Sequence, residues 1–257
     1  MTVHIVVCVK QIPDPSAPAS LTGDFRLDRS GKVLLDEADT YGVELALQVR
    51  EANPESRVTL ISMGDATDVS GLRSALAMGA DAAVIVADPA LAGADSLTTA
   101  KVLAAVTKEL GADLVLAATE SSDGYTGTLP AQLAELLGLP SLTFAKAVRV
   151  DATTVTIDRQ SDAGYDVVTS SLPALVTVTA GAVEPRYANF KGIMAAKSKP
   201  VDVKTLADLG LSDLAGSWGQ AVVSVTDAPQ RQSGTALVDD GSGAQALVDY
   251  FTSIKVL

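Results

Sequence analysis

Short aliphatic runs alternate with stretches of helical spacing through residue 138, and this alternation restricts the fold more than any other feature of the chain. Residues 3–9 are a short β-branched run interrupted by His4 and Cys8, which predicts a buried first strand. Residues 37–52 have helical spacing and stop at Asn53-Pro54. Further strands are predicted over 57–63, 82–86 and 113–117. The helices between and after them fall over 65–78, closed by Gly79, over 96–110, ended by Gly111, and over 127–137, closed by Gly138 and Pro140. Strands separated by helices lie parallel and are joined by right-handed crossovers.

Residues 10–35 break the pattern. They are irregular, and 25–28 and 32–35 flank Arg29-Ser30-Gly31, which suggests a hairpin. After residue 141 the stretches 142–150, 153–158, 165–171 and 174–178 leave no room for helices between them and read as antiparallel hairpins. From about Pro200 the signals weaken. Residues 216–240 are polar and irregular, and 244–254 suggest a terminal helix. The expected architecture is α/β: a mostly parallel, Rossmann-like sheet of the adenine-nucleotide hydrolase type with flanking helices, antiparallel hairpin strands and a C-terminal extension. Residues 1–200, including a loop at 184–199, would form a nucleotide-binding domain, and 201–257 an extension lying on another subunit.

The chain is 47% hydrophobic but only 4% aromatic, so its core is built from small aliphatics. Its formal net charge of -12 repels phosphate backbones and anionic lipid, which argues against nucleic acid and membrane surfaces as partners. A small anionic ligand stays possible, since backbone N–H groups bind anions without side-chain cations. Cys8 is the single cysteine, so no intrachain disulfide can form. The apolar run at the N-terminus precedes its first Lys, the reverse of a secretory leader, and no apolar stretch reaches the roughly 18–20 residues of a spanning helix. The expectation is a cytoplasmic protein without membrane insertion.

No catalytic set emerges. His4 is the only histidine and sits in the first strand, which favours a structural role over a Ser–His–Asp or Cys–His arrangement. Cys8, in the same strand, reads as a buried inert thiol. The carboxylates are scattered through turns and helix starts rather than clustered as metal ligands. Neither a P-loop nor a G-x-G-x-x-G is present. The best nucleotide candidate is Asp123-Gly124-Tyr125-Thr126-Gly127-Thr128, which follows the fourth strand and opens a helix. Open parallel sheets bind ligands at such strand ends. Here glycines allow close approach, and the Thr126 and Thr128 hydroxyls join helix N-terminal N–H groups as donors. An ordinary capped turn explains the same residues. Cys8-Val9-Lys10 and Ser62-Met63-Gly64 end two other strands facing the same crevice, and with the Asp123 turn they outline an adenine-nucleotide pocket.

In a chain this acidic, residues 184–199 are locally basic, with Arg186, Lys197 and Lys199, and they also carry Tyr187, Phe190, Ile193 and Met194. Phe190 and Met194, four apart, share one helix face. They form either a surface helix resting on its own core or an exposed anchor for a protein partner.

These pieces together resemble the electron-transfer flavoprotein β (small) subunit. The resemblance rests on Val9-Lys10-Gln11-Ile12-Pro13-Asp14, Ala75-Leu76-Ala77-Met78-Gly79-Ala80-Asp81, Asp123-Gly124 through Gly127 with Leu133-Ala134-Glu135-Leu136-Leu137-Gly138-Leu139-Pro140, and above all Glu184-Pro185-Arg186-Tyr187 with Met194-Ala195-Ala196-Lys197. It spans about residues 3–200. It implies an αβ heterodimer in which the α subunit holds most of an FAD and the β subunit holds a structural AMP. Electrons pass from dehydrogenases of the acyl-CoA type to a membrane quinone oxidoreductase. Carried over, the AMP site falls on Cys8, on residues 36–39 with Asp36 and Asp39, on Met63, and on the turn from Asp123 to Thr128. The dehydrogenase-docking loop falls on Tyr187 to Ala196, with Phe190 as anchor. Three positions depart from the family pattern. Asp36 stands in a segment that is commonly Asn-Pro-aromatic, Gln160 replaces a Glu near the flavin domain, and Pro15 replaces an aromatic.

The implied carrier needs no catalytic residues, because the cofactor carries the chemistry. Three alternatives stand beside it: a nucleotide-using ligase on the same fold, a nucleotide sensor of the universal-stress type, and a bifurcating flavoprotein with a second FAD in place of AMP. Lys10-Gln11-Ile12-Pro13-Asp14 lacks the Gly-rich phosphate loop that the ligase requires.

Overall fold

A central strand of five consecutive buried residues, β1 (His4–Cys8), organises the sheet, as its aliphatic sequence requires. The computed structural model describes residues 2–256 apart from 152, 232 and 235. After β1 come β2 (Gln11–Pro13), β3 (Val33–Leu35), α1 (Glu37–Ala52), β4 (Arg57–Met63), α2 (Ser70–Met78), β5 (Ala82–Val86), α3 (Ser96–Leu110), β6 (Leu114–Ala118) and α4 (Leu129–Leu137). The chain continues through β7 (Ser141–Asp151), β8 (Thr154–Ser161), β9 (Gly164–Ser171), β10 (Ala174–Val178), α5 (Phe190–Ala196), β11 (Val201–Lys204) and α6 (Gly243–Ser253). Nine strands form one sheet in the order β11-β5-β4-β1-β6-β10-β7-β8-β9. From β11 to β7 every pairing is parallel, and β8 and β9 continue as antiparallel hairpins. The expected α/β class and mostly parallel sheet are therefore present.

Alternation along the strands divides the core between the two faces. Ile5 and Val7 of β1 join Leu60, Leu116 and Val176 beneath α1 and α2, through Val43, Leu47, Leu72 and Leu76. Val6 and Cys8 join Ile61, Val115 and Leu175 beneath α3 and α4, through Val102, Val106 and Leu133.

Four local expectations change. β10 is parallel and lies between β6 and β7, rather than ending a hairpin series. All five of its residues are buried, which suits an interior strand covered on both faces. The hairpin near the start pairs residues 11–13 with 33–35, not 25–28 with 32–35. Ile12 is the residue of this ribbon that can be buried, whereas 25–28 lie at the surface. α2 begins at Ser70 rather than 65, because the Asp65 and Asp68 carboxylates accept from the N–H groups of Thr67 and Ser70 and hold the backbone in turns. α4 begins at Leu129, after Gly127 takes a left-handed φ of 66°.

The sheet continues past residue 200. β11 pairs with β5, and Leu206 is buried in the core. One compact unit runs through residue 222, and residues 223–257 form a second. Within that second unit, α6 has no buried residue and carries Leu247, Val248, Tyr250 and Phe251. Among the described residues, no helix is long and apolar enough to cross a membrane.

Candidate functional site

The chain leaves β1 through α1 to β4 and through α2 to β5 on one side, then returns through α3 to β6 on the other. The order thus reverses between β1 and β6, and an open parallel sheet offers a crevice outside the carboxyl ends at such a point. Residues 9–10 and 119–128 line it.

A charged network closes the crevice floor. The Lys10 Nζ lies 2.6 Å from Asp123 Oδ1 and 3.1 Å from Ser121 Oγ. Arg29 donates through Nη2 to the other Asp123 oxygen and through Nη1 to the Gln11 carbonyl at 3.2 Å. Burial works to raise the Asp123 carboxyl, but the bonds and charges of Lys10 and Arg29 outweigh it and hold it below the usual carboxylate range. Asp36 is fully buried at the N-cap of α1. It accepts from Ala38 N at 3.1 Å, and it reaches across to Ser122, accepting from N at 2.7 Å and from Oγ at 2.9 Å. Asp39 accepts from Lys10 N at 2.6 Å. Its own burial and the neighbouring Asp36 push its carboxyl well above the ordinary range.

Cys8, Asp36, Asp39, Asp123 and Gly124 thus gather at the β1–β6 junction. The Cys8 thiol is pushed up to about 12, first by burial and then by Asp39, so it is no nucleophile near neutral pH. Gly124 is held by close packing: a Cβ there would lie 3.0 Å from Ser121 Oγ. Thr126 and Thr128 are exposed, and the Thr128 side chain makes no capping bond to α4. Met63 ends β4, next to β1, and Gly64 follows it; a Cβ at Gly64 would meet no atom within 4 Å, so open space adjoins that strand end. Sequence reasoning left Arg29, Ser121 and Ser122 out of the site. Arg29 reads as a turn residue, and nothing in its neighbourhood signals a partner 94 positions away.

The 184–199 segment is fixed to the core on one side. Arg186 binds Glu44 of α1 through Nε at 2.7 Å, Nη2 at 2.9 Å and its backbone N at 3.2 Å, and binds Glu51 through Nη1 at 2.5 Å. These carboxylates raise the Arg186 guanidinium above its usual range. Arg186 is therefore turned to the core rather than outward. Asn189 caps α5 by accepting from Gly192 N at 2.8 Å. Arg73 donates to the Ala196 and Lys199 carbonyls at 2.7 and 2.6 Å, and Lys199 donates to those of Leu76 and Ala80 at 2.9 and 2.6 Å. The outward side is apolar: Tyr187 is 94% exposed, Phe190 79%, and Ile193 and Met194 about half.

His4 is buried, with Nε2 2.8 Å from Thr59 Oγ1. Its Nδ1 lies 2.9 Å from the Leu110 carbonyl and 2.8 Å from Arg57 Nη2, so it can donate to the first or accept from the second, not both.

The electron transfer flavoprotein domain family matches residues 24–209. The chain is 39% identical to the electron transfer flavoprotein subunit beta of Mycobacterium tuberculosis, covering 99% of each chain. It is 32% identical to the subunit of the same name from Megasphaera elsdenii, over 96% of this chain and 95% of the other. It is also 34% identical to the caffeyl-CoA reductase-Etf complex subunit CarD of Acetobacterium woodii, over 81% and 80%. Near-complete coverage at this identity, with the parallel sheet and the strand-end crevice in place, means that the chain belongs to the electron transfer flavoprotein family, among its β subunits.

Proposed function

We propose that this chain holds an AMP in the β1–β6 crevice, supports the FAD-bearing domain of an α subunit, and docks acyl-CoA-type dehydrogenases whose electrons pass on to a membrane quinone oxidoreductase. Family membership carries the coarser part, electron transfer by a flavoprotein with an α-subunit partner. The observation that supports the finer part is α5, tied to α2 by Arg73 and Lys199, with Phe190, Ile193 and Met194 outward on it and Tyr187 exposed just before it. A docking anchor needs to be both exposed and preorganised, and this one is.

The roles follow from chemistry already described. The flavin supplies the electron-transfer chemistry when bound. Lys10, Arg29, Thr126, Thr128 and the N–H groups opening α4 would receive the AMP phosphate, and the space beside Met63 and Gly64 would receive its nucleoside. Asp36 positions the turn by holding Ser122. This chain is a carrier subunit with no substrate turnover of its own, and it works in the cytoplasm. The exposed apolar residues of α6 support an extension that packs on the partner subunit.

The test is to co-express the chain with its α subunit, purify the complex and quantify released nucleotides. One FAD and one AMP per heterodimer is the expected result. Two FAD would replace AMP by a second flavin, as in the bifurcating type. Neither flavin nor partner would overturn the reading.

A further inference from the structure

The two cations of the crevice, Lys10 and Arg29, are already engaged by the chain itself. Asp123 lies between Lys10 and Arg29, one oxygen to each, with its side chain only 7% exposed while theirs are 37% and 42% exposed. Its backbone is tied at the preceding residue. Ser122 is held by the buried Asp36 through its backbone N–H and its hydroxyl. The pairs part when the Asp123 side chain rotates or when the partly exposed Lys10 and Arg29 side chains swing away.

An anion brought to the same cations meets a like charge within bonding distance, and like charges that close repel strongly in a partly buried site. We propose that Asp123 is an internal counter-ion that competes with the nucleotide phosphate for Lys10 and Arg29, so that the phosphate is taken up by anion exchange. Lys10, Arg29 and Asp123 together carry one net positive charge, so an arriving phosphate shares the cations with a carboxylate that already neutralises part of their charge. Asp123 is then a specificity-determining residue that weakens phosphate binding, the opposite of a ligand contact. The inference rests on the reading of the crevice as a nucleotide site.

The experiment uses the full chain in complex with its α subunit, stripped of nucleotide by dialysis, with AMP and adenosine as probes in titration calorimetry. Asp123→Asn keeps the shape and removes the charge, and it should tighten AMP about tenfold while leaving adenosine unchanged. Arg29→Gln should weaken AMP by a similar factor. Melting curves report whether each variant folds. If Asp123→Asn does not, Arg29→Gln decides alone, and AMP affinity unchanged in it overturns the proposal. Equal or weaker AMP binding by Asp123→Asn also overturns it, because Asp123 would then be a ligand contact or a bystander, and the nucleotide site would stand. Wild-type protein that binds neither probe removes the site and the proposal together.

Discussion

Replacing Gly192 by alanine tests how α5 is seated. A Cβ at this position would lie 2.3 Å from the Ala77 carbonyl oxygen of α2. Carbon–oxygen contacts settle at about 3.3 Å or more, so the helix would have to retreat by about 1 Å. Backbone blocks this locally, since the obstructing atom is no flexible side-chain end. Arg73 binds the Ala196 and Lys199 carbonyls at 2.7 and 2.6 Å, and a retreat of that size would carry both past bonding distance. Each such bond from a charged donor contributes about 1.5 kcal/mol at the low end. Gly192→Ala should therefore destabilise the chain by about 2–3 kcal/mol, or lower Tm by about 5–10 °C for a domain of this size. Urea unfolding followed by circular dichroism would measure it. Gly64→Ala, whose Cβ meets nothing within 4 Å, is the control expected to unfold as wild type does. A Gly192→Ala variant within about 0.5 kcal/mol of wild type would show that α5 is not held by close packing on α2.

Three further outcomes are expected. Phe190→Ala should slow reduction of the assembled flavoprotein by a dehydrogenase while flavin content and Tm stay unchanged, and stopped-flow kinetics equal to wild type would remove Phe190 as the anchor. Arg186→Met leaves Glu44 buried without its main partner, which should cost roughly 2 kcal/mol once the partial exposure of Arg186 is allowed for. Adding Glu44→Gln should recover about half of that loss, and chemical denaturation of the single and double variants reads both. Burial, assisted by the Arg57 charge, lowers the His4 pKa below its ordinary 6.5 despite the Leu110 carbonyl. The unfolded chain therefore takes up a proton first on acidification, and stability should fall as pH drops below about 6.5. His4→Gln should flatten the Tm profile between about pH 5 and 6.5, and an unaltered slope would place the proton uptake elsewhere.

The parallel strands β1, β4, β5 and β6 were legible because each is a short buried run, and the helices between and after them have clear stops such as Gly79, Gly111 and Gly138, whereas β11, half exposed, gave no such signal. β10 was not, since Ala174–Val178 follows three strands at hairpin spacing and nothing local tells an inserted parallel strand from a fourth hairpin arm. The β2–β3 ribbon failed for a related reason, as its partners are separated by the whole 14–32 loop. In the crevice, the Asp123 turn and the ends of β1 and β4 could be placed from topology alone. The ion network could not, because Lys10, Arg29, Asp36 and Asp123 meet only through tertiary structure. Arg186 shows the same limit: its charge and exposed neighbours suggested an outward role, and its partner Glu44 lies 142 positions earlier.

The insertion of β10 between β6 and β7 also sets an order of events on the ribosome. The strands up to β6 can pair as soon as they emerge, but β6 keeps a bare edge until β10 arrives, and β5 keeps another until β11 follows. The edges of β6 and β5 are thus covered only by the last strands to be synthesised. Unpaired edges template association with other chains. A nascent chain stalled before Val201 would present such an edge beside β5, and this exposes it to chaperones and to aggregation until translation passes the final strand.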